Sequence, residues 1–486
     1  MNNLPLRGIH HQIIGLLLIA FAILPTSSAQ KPNILWIVTE DMSPDFGCYG
    51  NEAVTTPHLD QLAAQGMKFN QVYTTGPACS PSRTALATGV YQTTLGAYHM
   101  RYSDELLPPL PSYVKLLPQL LQELGYSTGN LADIDGTGTA KDDFLFQAPP
   151  GIWDTDSWAE LTQRQPFYAQ INTEVSHRPF SHDSQAKIDP ADVEIPPYYP
   201  DHAVARDDWV GYLEEVNSTD ELVGNILAHL ERDGLLDHTI VFVVSDHGRP
   251  MIRAKNWLYD AGTRVPLIVH IPEGLESPSG YQAGTENSEL ISGVDLVAET
   301  LLLAGGEVPG WMQGRSILRA DSQPRDYIFT AVDRIGNIDS RSRAIRSQRY
   351  KYIRNYKIPG SINESITYYR MAMHPIHHLL EIMGEKKLLT PAQARLLEPI
   401  AVEELYDVVS DPHEIHNLIG NPAFHSTHQD LRGRLDHWIK SSGDRGFEPE
   451  SAEIVNSFKT YGEKTAISNR AAIAARRAKV LAHFEP

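Results

Sequence analysis

The sequence predicts an α/β fold: a mostly parallel central sheet between helices, followed by a smaller C-terminal α+β subdomain with an antiparallel sheet. Three observations point there. Pro32–Val38 and Thr239–Val244 are continuous apolar runs of strand length, as in strands buried on both faces of a parallel sheet. Segments with helical periodicity separate such runs, the order expected of parallel strands joined by helical crossovers. Beyond Asp321 the texture changes to short strands around tight turns.

In chain order, Pro32–Val38 is the first strand. Thr56–Gly66 follows as a helix, with proline at its start and glycine at its end. Met67–Tyr73 is the next strand and leads into a loop carrying Cys79. Pro77 and Pro81 restrict that loop, and Thr84–Thr88 reads as helix, so Cys79 sits at a helix N-terminus, where an anion is favoured. Leu116–Leu124 is a helix ended by Gly125, and Tyr126–Phe146 is strand and loop. Pro166–Thr173 is a strand, and Ser181–His202 is a proline-rich surface excursion. Val204–Leu230 is a long helix packed by Val210, Leu213, Val216, Leu222 and Ile226. Thr239–Val244 and Leu267–Ile271 are strands, and Val294–Ala304 is the last helix of the main body. Tyr327–Val332, Ser342–Ser347, Tyr350–Arg354 and Glu404–Val409 are strands of the second sheet, with a helix at Gln429–Ile439 and a basic, alanine-rich helix at Ile467–Phe484.

A hydrophobic fraction of 42% suits a globular chain with an ample core. Lys and Arg number 41 against 60 Asp and Glu, a net charge of −19, which argues against nucleic acid as a partner. An anionic substrate must then meet a local basic pocket and not a basic global field. Residues 1–29 read as a signal peptide: Arg7, the apolar run Ile13–Leu24, and small residues up to Ala29. The expectation is export, secreted or periplasmic, with no membrane anchor. Of the two cysteines, Cys48 reads as a small buried side chain.

Acids cluster at strand ends. Glu40 and Asp41 follow the first strand, and Asp246-His247 follows Thr239–Val244. Open α/β sheets bind ligands at that edge. Neighbouring carboxylates repel unless a cation joins them, so a hard, oxygen-loving metal is one reading and a solvated acidic turn the other.

Cys79-Ser80-Pro81-Ser82-Arg83, followed by Thr88-Gly89, resembles the signature of type I, formylglycine-dependent sulfatases. Ser245-Asp246-His247-Gly248 is similar to that family's second metal motif, and Lys255 to Pro266 resembles its lysine segment, with a spacing like that of the heparan N-sulfatase (sulfamidase) and glycan sulfatase branch. The resemblance covers nearly the whole mature chain. It implies an alkaline-phosphatase-like core, a catalytic domain over 30–320, and a C-terminal subdomain and tail over 321–486. It also implies conversion of Cys79 to formylglycine by a maturation enzyme. One Ca²⁺ is then held by Glu40, Asp41, Asp246, His247 and residue 79. Arg83, Lys141, His177 and Lys255 complete the catalytic set, and His99, Arg101, Arg178 and His182 are candidate substrate contacts. Two departures stand out: Val90 where the family often has a basic residue, and Asp143 where many members have a histidine. The implied activity is hydrolysis of sulfate esters, or sulfamates, on a sulfated carbohydrate. A phosphonate or phosphodiester hydrolase of the same superfamily, or a non-catalytic sulfoglycan-binding protein, are the alternatives.

Overall fold

The computed structural model describes Met1 and residues 31–101, 103–134, 139–181 and 187–485. Apart from Met1, the leader expected at 1–29 lies outside the described residues, as does His182. Residues 32–486 form one compact unit.

Among the described residues the central sheet has nine strands: β1 (Asn33–Thr39), β2 (Met67–Tyr73), β3 (Ser127–Asp133), β4 (Thr155–Ser157), β5 (Phe167–Thr173), β6 (Thr239–Ser245), β7 (Arg264–His270), β8 (Thr285–Asn287) and β9 (Ile291–Ser292). Their order is β4-β3-β5-β1-β6-β7-β2-β8, with β9 also on β2. All pairings are parallel except those of β7, which runs antiparallel to β6 and β2. The strand expected at Leu267–Ile271 is this reversed one, and it starts earlier, at Arg264.

Alternation along β1 shows why the run is apolar throughout. Leu35 and Ile37 face one core, with Val241, Val243 and residues of the Ala203–Arg232 helix such as Trp209 and Leu213. Ile34, Trp36 and Val38 face another, with Phe242, Val244 and residues of the Gly293–Leu303 helix such as Leu296 and Leu301. Each such side chain contributes about 1.5–3 kcal/mol on burial, which fixes the strand register and with it the strand ends. Thr39 pairs with Thr173 of β5 and Ser245 of β6, so three central strands finish flush on one edge.

The second sheet is antiparallel: β10 (Ile328–Val332), β11 (Arg341–Arg346), β12 (Tyr350–Lys357) and β13 (Glu403–Asp407), in that order. The His425–Ser441 helix covers it through Leu431, Leu435 and Trp438. The tail helix is longer than expected, Ala452–Leu481. It packs on two helices that the sequence pattern did not single out, Tyr368–Met373 and Pro375–Glu385.

Candidate active site

The flush strand ends deliver the site. β1 runs into Glu40 and Asp41, and Asp41 takes a left-handed backbone (φ 56°), which aspartate tolerates better than most residues. β6 runs into Asp246 and His247, and β2 leads to the Cys79–Thr88 helix. Cys79 occupies the first turn of that helix and is 2% exposed. Its Sγ lies 3.2 Å from Glu40 Oε1, 3.3 Å from His247 Nε2 and 3.3 Å from Lys255 Nζ. Lys255 Nζ also donates to both Asp41 oxygens, at 2.7 and 2.9 Å. Lys141 Nζ donates to both Glu40 oxygens, at 2.6 and 2.7 Å. Arg83 Nε donates to Asp246 Oδ2 at 3.1 Å. Eight of the residues singled out from sequence thus meet in one buried cluster: Glu40, Asp41, Cys79, Arg83, Lys141, Asp246, His247 and Lys255.

The charges are mutually supported. Burial opposes ionisation of Asp41, but Lys255 and His247 outweigh it and hold its carboxyl well below the usual range. Burial likewise opposes ionisation of Asp246, and His247 and Arg83 hold it low. Lys255 stays protonated despite burial because of Asp41. The thiol behaves oppositely: burial pushes Cys79 well above its ordinary value, Lys255 pulls back, and Glu40, Asp246 and Asp41 add to the rise. The unmodified side chain is therefore a neutral thiol and a weak nucleophile.

Residues 32–306, more than half of the chain, match the family described as Sulfatase. The chain belongs to the sulfatase family. Residues 250–363 also match the C-terminal region of N-sulphoglucosamine sulphohydrolase. An ulvan-active sulfatase of Formosa agariphila is 34% identical over 482 residues, covering 88% of this chain and 78% of that protein. Human N-sulphoglucosamine sulphohydrolase is 26% identical over 463 residues, covering 84% and 90%. A chain solved in complex with its substrate D-glucosamine-2-N,6-O-disulfate shares the fold, with a TM-score of 0.61 at 17% identity over 86% of this chain and 100% of that one. This sulfatase is a sulfuric ester hydrolase with an alkaline-phosphatase-like core.

The donor set of the sulfatase site fits a divalent cation. Ligand atoms of Asp41, Cys79 and His247, and of Glu40, Cys79 and Asp246, each lie within 4.8 Å of one another. His247 Nδ1 is 2.8 Å from the Gly248 carbonyl, which only accepts, so Nδ1 carries a proton. His247 Nε2 faces Asp41 Oδ1 at 3.0 Å and Cys79 Sγ at 3.3 Å. Carboxylate oxygens favour a hard ion such as Ca²⁺. Arg83 Nη2 is buried without a hydrogen bond and lies 3.8 Å from Glu40 Oε2, a donor left over for a ligand oxygen.

His177 follows β5 and is half-buried. Its Nδ1 donates to the Arg178 carbonyl at 2.9 Å, and its charge acts on Asp41. Arg101 is exposed, 58% by side chain, and pairs with Asp143, which is 7% exposed. Asp143 acts electrostatically on Arg83, and its Oδ2 is buried without a partner. The residue standing in for the usual histidine therefore places an acid and a surface arginine beside the site.

Two expected substrate contacts are corrected. Arg178 is buried and forms a bidentate pair with Asp208 at 2.7 and 2.8 Å, with further bonds to the Pro250 and Met373 carbonyls. Its donors are spent on holding loops together. We expect Arg178→Ala to cost about 3–5 kcal/mol in a denaturant titration, because Asp208 is left buried and unpaired. His99 is also buried, 3.1 Å from Glu450 Oε1 and edge-on to Tyr98 and Phe458. Its pair with Glu450 fastens the segment ahead of the tail helix to the body.

Sequence reasoning missed several supporting residues. Asn172, at the end of β5, accepts from Arg83 and donates to the Lys141 carbonyl (3.2 Å), tying two cations together. Ser176 donates to the Glu40 carbonyl and Ser82 to that of Asp246. Arg370 donates to the carbonyls of Lys255 (2.9 Å) and Met251 (2.8 Å), and Tyr369 to that of Arg178 (2.7 Å), the same oxygen that His177 uses. Strand-end position gave a signal for Asn172; nothing local marked Tyr369 or Arg370.

Proposed function

We propose that the protein is an exported glycan sulfatase, which hydrolyses sulfate esters, or sulfamates, on a sulfated carbohydrate, with formylglycine at position 79 and one calcium ion. The observation that carries this reading is the buried meeting of Glu40, Asp41, Asp246 and His247 around Cys79, flanked by three cations. Its glycan substrate class rests on the ulvan-active and N-sulphoglucosamine-cleaving relatives. Export rests on the leader pattern of residues 1–29. Because Cys79 is 2% exposed, the maturation enzyme must act before the chain closes around it.

Glu40, Asp41, Asp246 and His247 would hold the calcium. When present, calcium and the aldehyde hydrate together supply an activated hydroxyl as nucleophile in place of the weak thiol. Arg83 presents its spare Nη2 to the same pocket. Lys141 and Lys255 are held by Glu40 and Asp41 at the rim of residue 79, where they balance charge on the sulfuryl oxygens as it shifts in the transition state. His177 keeps Nδ1–H on the Arg178 carbonyl, which leaves Nε2 to hold the proton that passes to the departing oxygen or nitrogen.

Arg101 and Asp143 form the rim contact for a second polar or anionic group on the sugar. We expect Arg101→Ala to raise KM for a multiply sulfated saccharide roughly five- to tenfold, the effect of one exposed charge-assisted contact. A small aryl sulfate should be unaffected. Sulfate release from a panel of defined N- and O-sulfated saccharides, with and without chelator, tests the whole reading. Release that requires calcium is expected. Turnover of phosphodiesters alone would overturn it.

A further inference from the structure

A second cluster of metal-binding side chains lies on the Pro375–Glu385 helix, apart from the active site. His377 and His378 are buried, 3% and 1% exposed, and Glu381 is half-buried at the helix surface, with 37% of its side chain exposed. The ligand atoms of all three lie within 4.8 Å of one another. His378 Nδ1 is 3.4 Å from Glu381 Oε2, and His377 Nε2 is 3.6 Å from Glu381 Oε1. A direct charge-assisted hydrogen bond would be near 2.8 Å, so these contacts are long for simple pairing. Two tetrahedral ligands at about 2.0–2.1 Å from one zinc ion sit about 3.3 Å apart, close to the spacing seen.

The tautomer agrees. His378 Nε2 is 2.9 Å from the Met371 carbonyl and must donate to it. In the neutral ring Nδ1 then turns a lone pair toward the Glu381 carboxylate, and the carbonyl serves as the outer partner that metal-binding histidines usually have. Arg477 of the tail helix acts on Glu381 and is engaged by Glu385 at 2.8 Å.

We infer that His377, His378 and Glu381 bind a zinc-like transition-metal ion, with water as the fourth ligand on the side where Glu381 meets solvent. Two nitrogens and one carboxylate suit zinc and not calcium. The site is structural in effect. His378 ties the Pro375–Glu385 helix to the Tyr368–Met373 helix through Met371, and that second helix carries Tyr369 and Arg370. Those two residues hold the carbonyls of Arg178, beside His177, and of Lys255. An ion here stiffens the scaffold behind the catalytic cations without touching them.

The test titrates ZnCl2 into the full-length protein kept in excess calcium, which occupies the active-site acids, and follows binding by calorimetry together with the melting temperature. The wild type should take up about one equivalent of zinc and melt several degrees higher. Glu381→Gln and His378→Gln should weaken that binding tenfold or more and lose the zinc-dependent rise. Glu381→Gln alters a half-exposed group and serves if His378→Gln does not fold. The inference is overturned if the wild type binds no zinc, or if Glu381→Gln keeps the same equivalent and the same shift. The outcome does not depend on turnover, so it stands or falls separately from the proposed reaction.

Discussion

Cys79→Ala should give a folded protein that releases no sulfate, with turnover down by about 10⁵-fold or more, the size of loss seen when a nucleophile is deleted. The substitution removes only Sγ from the first turn of a helix whose remaining residues keep their burial and bonds. The melting temperature should stay within a few degrees, because the acids around Sγ retain Lys141, Lys255 and Arg83. Thermal unfolding and sulfate release on the same sample check both halves. Normal turnover by the alanine variant would end the proposed chemistry.

His177→Gln is the second large effect, and its signature is selectivity. A sugar alkoxide needs a proton as it leaves, so losing the acid should cost about 10²–10⁴-fold on a sulfated saccharide. An activated aryl sulfate leaves as a stable phenolate, and the loss there should be under about tenfold. Equal losses on both substrates would assign His177 to binding or to folding, not to proton transfer. The contact with the Arg178 carbonyl makes the glutamine variant the fairer test, since an amide can still donate there.

The central sheet was legible because both faces of β1 and β6 are buried, which leaves no polar alternation to confuse the reading. Once strand ends are known, so is the edge where Glu40, Asp41, Asp246 and His247 emerge. β8 and β9, at three and two residues, carry too little pattern to register. The Tyr368–Met373 helix is likewise too short for a helical period to show. The first half of the tail helix carries Ile454, Phe458 and Tyr461 at helical spacing, a signal that was overlooked, so the helix was seen only from Ile467.

The misread residues share one cause. Arg178 and His99 were placed in the cleft because each lies next to a motif. Their partners, Asp208 and Glu450, sit on the Ala203–Arg232 helix and just ahead of the tail helix, and no local pattern announces such pairs. Asp143 was noticed only as a departure from the family pattern. Its surroundings came only from three-dimensional neighbours: it pairs with Arg101 and acts electrostatically on Arg83.

The most direct test of the account is the mass of the tryptic peptide Phe69–Arg83 from catalytically active protein. Conversion of the Cys79 thiol to an aldehyde predicts a peptide lighter by about 18 Da than the encoded sequence and blind to thiol alkylation. A fully active preparation whose peptide carries the intact, alkylatable thiol would contradict it.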